Sequence, residues 1–138
     1  MATPHHLLDT LEPGAHAVED ACALGDLAAT VGFDWPDARG ALDKVQEETQ
    51  ELAHWLDQDT ECARLAQIDE FGDLFFAVCM VARKLNIDPM AALAQANGKF
   101  KRRFDAVEEA LWQMGTTTTE ASLDDMEAAW QSIKHQTK

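Results

Sequence analysis

The chain of 138 residues carries 11 basic against 25 acidic residues, for a net charge of −14, and 46% of it is hydrophobic. That composition supports one core rather than several domains, and the acidic excess opposes nonspecific binding to nucleic acid or an anionic membrane. No run of about 18 apolar residues occurs and the N-terminus lacks a basic segment leading into an apolar one, so a soluble cytoplasmic protein is expected.

Residues 1–14, MATPHHLLDTLEPG, read as a flexible extension ended by Pro13 and Gly14. Ala17, Ala21, Leu24, Ala28 and Val31 then recur at helical spacing, which predicts a first helix over about 15–30. GFDWPDARG is punctuation: Trp35 precedes Pro36 and is biased away from helix, and Asp34 or Asp37 could cap the next helix. That second helix, over about 37–56, has Leu42, Val45, Leu52, Trp55 and Leu56 as its apolar stripe, with Glu48 between Val45 and Leu52. A third, about 61–85, contains LFFAVCMVA, nine apolar residues in succession, which predicts burial on nearly all sides. A fourth opens at Asp88 as N-cap with Pro89 in its first turn, and Leu93, Phe100, Phe104, Val107 and Leu111 form its stripe, shared by Asn97. After MGTTTTEAS, Ser122 and Asp125 resemble a capping box that opens a last helix with Leu123, Met126, Trp130 and Ile133. With no tyrosine and little alternation of β-branched residues, the fold class is all-α, a bundle of about five helices in one domain. Cys22, Cys62 and Cys79 are odd in number and widely spaced, which points to reduced, buried thiols rather than a disulfide or zinc framework.

The chemistry-bearing pattern is acidic. QEETQEL crowds Glu47, Glu48 and Glu51 into little more than one turn, and Glu70 and Asp73 form a second pair three apart on the next helix. If the two helices pack antiparallel, Glu48, Glu51, Glu70 and Asp73 converge at one level. Four unbalanced charges there would either protonate or hold cations, and an all-oxygen set suits Mg²⁺, with Mn²⁺ as substitute. Gly72 between the second pair leaves room for the approach of a helix or ligand. A di-iron bundle needs two Glu-x-x-His pairs, and only Glu51 and His54 form one. In NGKFKRRF, Lys99 and Arg103 share a face beside Asn97 and Phe100 and could meet phosphate oxygens, or simply form a solvated basic face. Lys44 could add a phosphate contact or pair with Glu48. Trp35 and Trp130 could each stack a base or belong to the core.

These residues together resemble the MazG family of all-α nucleoside triphosphate pyrophosphohydrolases, whose hallmark is EExxE followed by ExxD. EETQE at 47–51 and EFGD at 70–73 match it, as do VGFDWPD at 31–37, LDKVQEE at 42–48, GDLFFAVCMVARKLNIDP at 72–89, NGKFKRRF at 97–104 and MEAAW at 126–130. The resemblance implies Mg²⁺-dependent hydrolysis of an NTP or dNTP to monophosphate and pyrophosphate. It points to Glu48, Glu51, Glu70 and Asp73 as metal ligands and to Lys99 and Arg103 as phosphate contacts. Lys44 and Glu47 match further functional positions, Glu47 being a candidate water-positioning base. It also implies a homodimer or dimer of dimers, and a single MazG-like domain where many relatives carry two. The first helix, acidic here and often basic in the family, departs from the pattern. Two other readings compete: a noncatalytic helical module that binds nucleotide or a protein partner, and a carboxylate-bridged redox metal protein.

Overall fold

The computed structural model describes residues 4–136. After a 3-10 turn at Leu7–Thr10 come five helices: α1 (Ala17–Ala29), α2 (Ala38–His54), α3 (Glu61–Lys84), α4 (Pro89–Gln113) and α5 (Leu123–Gln136). No strand occurs among the described residues, so the chain is all-α as its composition predicts. None of the helices is long and apolar enough to cross a membrane. The chain divides into two compact units, Met1–Met90 and Ala91–Lys138.

In the first unit the starts of α2 and α3 have a local cause. Asp37, in extended conformation, accepts a hydrogen bond from the Gly40 N–H at 3.2 Å and caps α2; Thr60 does the same for Ala63 at 3.0 Å and caps α3. The short link between them folds α3 back along α2. Ala41 near the start of α2 packs against Cys79 and Met80 late in α3, whereas Gln67 early in α3 donates to the Trp55 carbonyl at the end of α2. The two helices are therefore antiparallel. Val18, Ala21 and Cys22 of α1 join the same cluster. The segment before α1 holds more order than an extension requires: besides the 3-10 turn, the Gly14 N–H donates to Asp20 at 2.7 Å. Residues 1–3 of that expected extension lie outside the described residues.

Two expectations about faces need correction. On α2 the buried positions are Ala41 and Glu48, while Leu42 and Leu56 are exposed. The face turned to α3 runs through Ala41, Val45, Glu48 and Leu52, and a residue one step from Ala41 is rotated about 100° away from it. On α3 the apolar run is not buried on nearly all sides. Ala77, Cys79, Met80 and Ala82 are buried, yet Phe75, Phe76 and Val78 are 43%, 41% and 47% exposed. The contacts from α1 and α2 meet at Cys79 and Met80, and Phe75, Phe76 and Val78 stay exposed among the described residues. The cysteines are all free, but Cys62 is exposed, contrary to the expected burial; Cys22 is partly buried and Cys79 buried.

In the second unit Val107 and Leu111 of α4 pack on Ile133 of α5, with Met126, Ala129 and Trp130 around them. Ser122 accepts from the Asp125 N–H at 3.1 Å and so opens α5 as its spacing predicts. At the start of α4, Asp88 accepts from the Met90 N–H at 3.0 Å. The α4 stripe is buried only in its C-terminal half: Val107 and Leu111 are covered, while Leu93 and Phe100 are 53% and 60% exposed.

Candidate metal centre

Antiparallel packing turns two sequence pairs into one cluster. Glu48 and Glu51 on α2 and Glu70 on α3 each offer a carboxylate oxygen within 4.8 Å of the others. Glu48 is 5% exposed, the one buried charged residue among those described. One of its oxygens meets the Lys44 ammonium at 2.8 Å, and the other, Oε2, is buried without a hydrogen-bond partner. Oε2 of Glu70 is in the same condition. Buried acceptors left unpaired are rare in folded proteins and mark a group awaiting a partner.

The charges reflect the crowding. Glu51 is exposed, but its carboxyl is pushed above the usual range by the Glu70 carboxyl beside it and then by the charge of Glu48. Crowded carboxyls relieve their repulsion either by taking up a proton or by holding a cation. The Lys44 ammonium is held above its usual range by hydrogen bonds to Glu48 and Glu47, the latter at 2.9 Å. Lys44 thus neutralises the outer side of the cluster, and Glu47, more than half exposed, stands beside it rather than within it.

Asp73 falls outside the group of three. It is exposed, one turn along α3 from Glu70, and its carboxyl is pushed up by local desolvation, then by the charges of Asp69 and Glu48. It is therefore electrostatically in touch with Glu48 without meeting the others' ligand atoms. A Cβ built on Gly72 meets nothing within 4 Å, but Gly72 lies about 200° around α3 from Glu70, among Phe71, Phe75 and Phe76, so the room it leaves is not at the cluster. His54 stacks edge-on to Trp55, with ring centroids 5.2 Å apart, and is not in the cluster.

The donor set fits a hard divalent cation: three carboxylates, two with unpaired buried oxygens and the third, Glu51, exposed to solvent. Two oxygens bound to one Mg²⁺ at about 2.1 Å lie within roughly 4.2 Å of each other.

The remaining expected site residues belong to the second unit. On α4, Asn97 and Lys99 are exposed and Arg103 is partly buried. Trp130 packs on the Val107–Leu111–Ile133 cluster, and its ring lies 5.3 Å from that of Phe100. Trp35 joins the core of the first unit. Sequence patterns give no signal for Arg83, whose guanidinium is almost buried and ion-paired to Asp26 and Asp34. Its partners lie some fifty positions away in the chain, so no local spacing announces them.

Comparison with known proteins agrees with this arrangement. The sequence model described as "MazG nucleotide pyrophosphohydrolase domain" matches residues 39–107, which include all the acids of the cluster together with Asn97, Lys99 and Arg103. The chain is 34% identical over 125 residues to the nucleoside triphosphate pyrophosphohydrolase/pyrophosphatase MazG of Thermotoga maritima, covering 90% of this chain and 46% of that protein. It is 37% identical over 133 residues to a nucleoside triphosphate pyrophosphohydrolase of Escherichia coli K12, covering 96% of this chain and 50% of that one. The chain thus spans about half the length of these relatives. Family match and carboxylate geometry coincide on the same residues, and the chain belongs to the MazG family.

Proposed function

We propose that the chain is a Mg²⁺-dependent pyrophosphohydrolase that converts an NTP or dNTP to the monophosphate and pyrophosphate. One observation carries this reading: two buried carboxylate oxygens, on Glu48 and Glu70, lack any partner in a group of three acids drawn from two helices. The names of the relatives from T. maritima and E. coli support the reaction class.

In this reading Glu48, Glu51 and Glu70 hold the cation, and Asp73 joins them from the next turn of α3. The bound ion supplies Lewis-acid polarisation of the phosphoanhydride and a cationic template for it. Lys44 pairs with one oxygen of Glu48 and so directs it, leaving the other for the ion. Glu47 accepts a proton from, or orients, the attacking water. Lys99 and Arg103 contribute positive charge to the departing pyrophosphate, with Asn97 on the same helix. Trp130 is the proposed contact for the nucleotide base. The exposed Phe71, Phe75 and Phe76 of α3 support a homodimer or a dimer of dimers, in which a second copy covers that face. We place the activity in the cytoplasm, as nucleotide-pool maintenance.

The test is release of pyrophosphate and monophosphate from a panel of NTPs and dNTPs with Mg²⁺, for wild type and Glu51→Gln. Turnover abolished by EDTA and by the substitution is the expected result. A folded protein that turns over none of them would leave a noncatalytic nucleotide-binding module as the better account.

A further inference from the structure

At the other end of the α2–α3 pair, a single carboxylate ties the α1–α2 loop to the end of α3. One Asp34 oxygen is ion-paired to the Arg83 guanidinium, the other accepts from the Lys84 ammonium at 3.1 Å, and the first also accepts the Trp35 N–H at 2.8 Å. Arg83 reaches Asp26 of α1 as well, at 3.3 Å, so it joins α1, the loop and α3. Its side chain is only 10% exposed and its Nε is buried without a partner. A glycine makes this possible: a Cβ on Gly25 would stand 2.7 Å from that Nε and 2.6 Å from Met80 Sδ. A helical glycine costs about 1 kcal/mol relative to alanine, so the close approach is maintained against a penalty.

The clamp acts on α2 through two neighbours. Trp35 lies over Gly40, where a Cβ would be 2.8 Å from its ring, and packs with Ala41, Cys79 and Met80. Asp37 then caps α2 at Gly40. Both contacts fix the first turn of the helix that presents Lys44, Glu48 and Glu51. We infer that Arg83 is a positioning residue: by holding Asp34 it sets the placement of α2 against α3, and so of Glu48 and Glu51 opposite Glu70, from roughly 20 Å along α3. This rests on the reading of those acids as a cation site.

The experiment compares wild type, Arg83→Gln, Arg83→Lys and Asp34→Asn in the full chain, with Mn²⁺ as probe. Amide exchange of residues 38–44 is read in parallel. Arg83→Gln is expected to lower Mn²⁺ affinity and kcat roughly tenfold, the lower edge of what outer-shell changes do, with KM for the nucleotide little altered. Exchange at 38–44 rises, and Arg83→Lys, which keeps the pair to Asp34, restores most of the loss. Asp34→Asn repeats the effect more mildly and stands in if Arg83→Gln does not fold. Folded variants with unchanged Mn²⁺ affinity and unchanged exchange at 38–44 would overturn the inference. A wild type that neither binds Mn²⁺ nor turns over would instead refute the cation-site reading, and the exchange data would still decide whether the clamp holds α2.

Discussion

The two ends of the α2–α3 pair both gather carboxylates, and they treat them in opposite ways. At the loop end, Asp34 is met by Arg83 and Lys84, which hold its carboxyl below the usual range; Arg83 comes first, through its hydrogen bond. At the other end, Glu48 and Glu70 keep buried oxygens with no partner, and the Glu51 carboxyl is pushed up by the company of its own kind. At the loop end carboxylate is answered by cation within the chain, and at the other end two carboxylate oxygens are left for the proposed ion.

The widest separation of the two ends is expected from activity. Glu48→Gln, Glu51→Gln and Glu70→Gln should each lower kcat/KM about 100-fold or more, measured as pyrophosphate release, because an acid of the cation site has no substitute. If one of the three retains wild-type turnover, it does not belong to the site.

The same substitutions sharpen the contrast in stability. Asp34→Asn removes a charge that two cations answer and should lower the thermal midpoint by roughly 5 °C, whereas Glu70→Gln relieves repulsion and should raise that of the metal-free protein by about 2 °C. Differential scanning calorimetry in EDTA checks both; a fall for Glu70→Gln would show that its charge is already balanced within the chain.

Titration should tell the ends apart by sign. Glu51 is pushed up by the adjoining Glu70 carboxyl, and Asp73 by desolvation and neighbouring acids. Their folded values exceed the unfolded ones, so the folded state binds more protons in that interval and stability falls as pH rises through it. Metal-free protein should therefore melt higher just above the ordinary carboxylate range than near pH 7.5, and Mg²⁺ should remove the difference by binding the ionised acids. Asp34, held low, contributes with the opposite sign, and its share is lost only as pH falls below the usual carboxylate range. A metal-free midpoint that rises steadily to pH 7.5 would contradict the crowding.

The smallest effect belongs to a pair outside both ends. Lys101 and Asp105 meet at 2.8 Å on α4 with both side chains largely exposed, and Lys101→Ala should move the midpoint by less than about 1 °C. A larger shift would mean that this pair is part of something the chain binds.

Much of this is legible in the sequence because it is local. Helix starts at Asp37, Thr60, Asp88 and Ser122 come from short polar side chains that accept their own helix's N–H groups, and Glu48 falls on the stripe by its neighbours alone. The grouping of Glu48, Glu51 and Glu70 needs one further assumption, antiparallel packing across a short link, which the structure bears out. What escapes depends on distant partners. Periodicity gives Leu42 and Ala41 nearly equal claim to the buried face, and the contact with Met80 and Cys79 decides for alanine. The apolar run of α3 shows how much surface there is to cover, not which elements reach it. Arg83 has no motif at all, since its meaning lies in Asp26, Asp34 and a glycine on another helix.

The exposure of Cys62 gives the molecule a built-in handle. Burial pushes the Cys22 and Cys79 thiols up and slows their alkylation, while Cys62 stands in solvent in the first turn of α3. A nitroxide or fluorophore should therefore attach there without engineering. It would sit on the same rigid helix as Glu70, about 12 Å along its axis, close enough for paramagnetic Mn²⁺ held by the three glutamates to broaden or quench its signal.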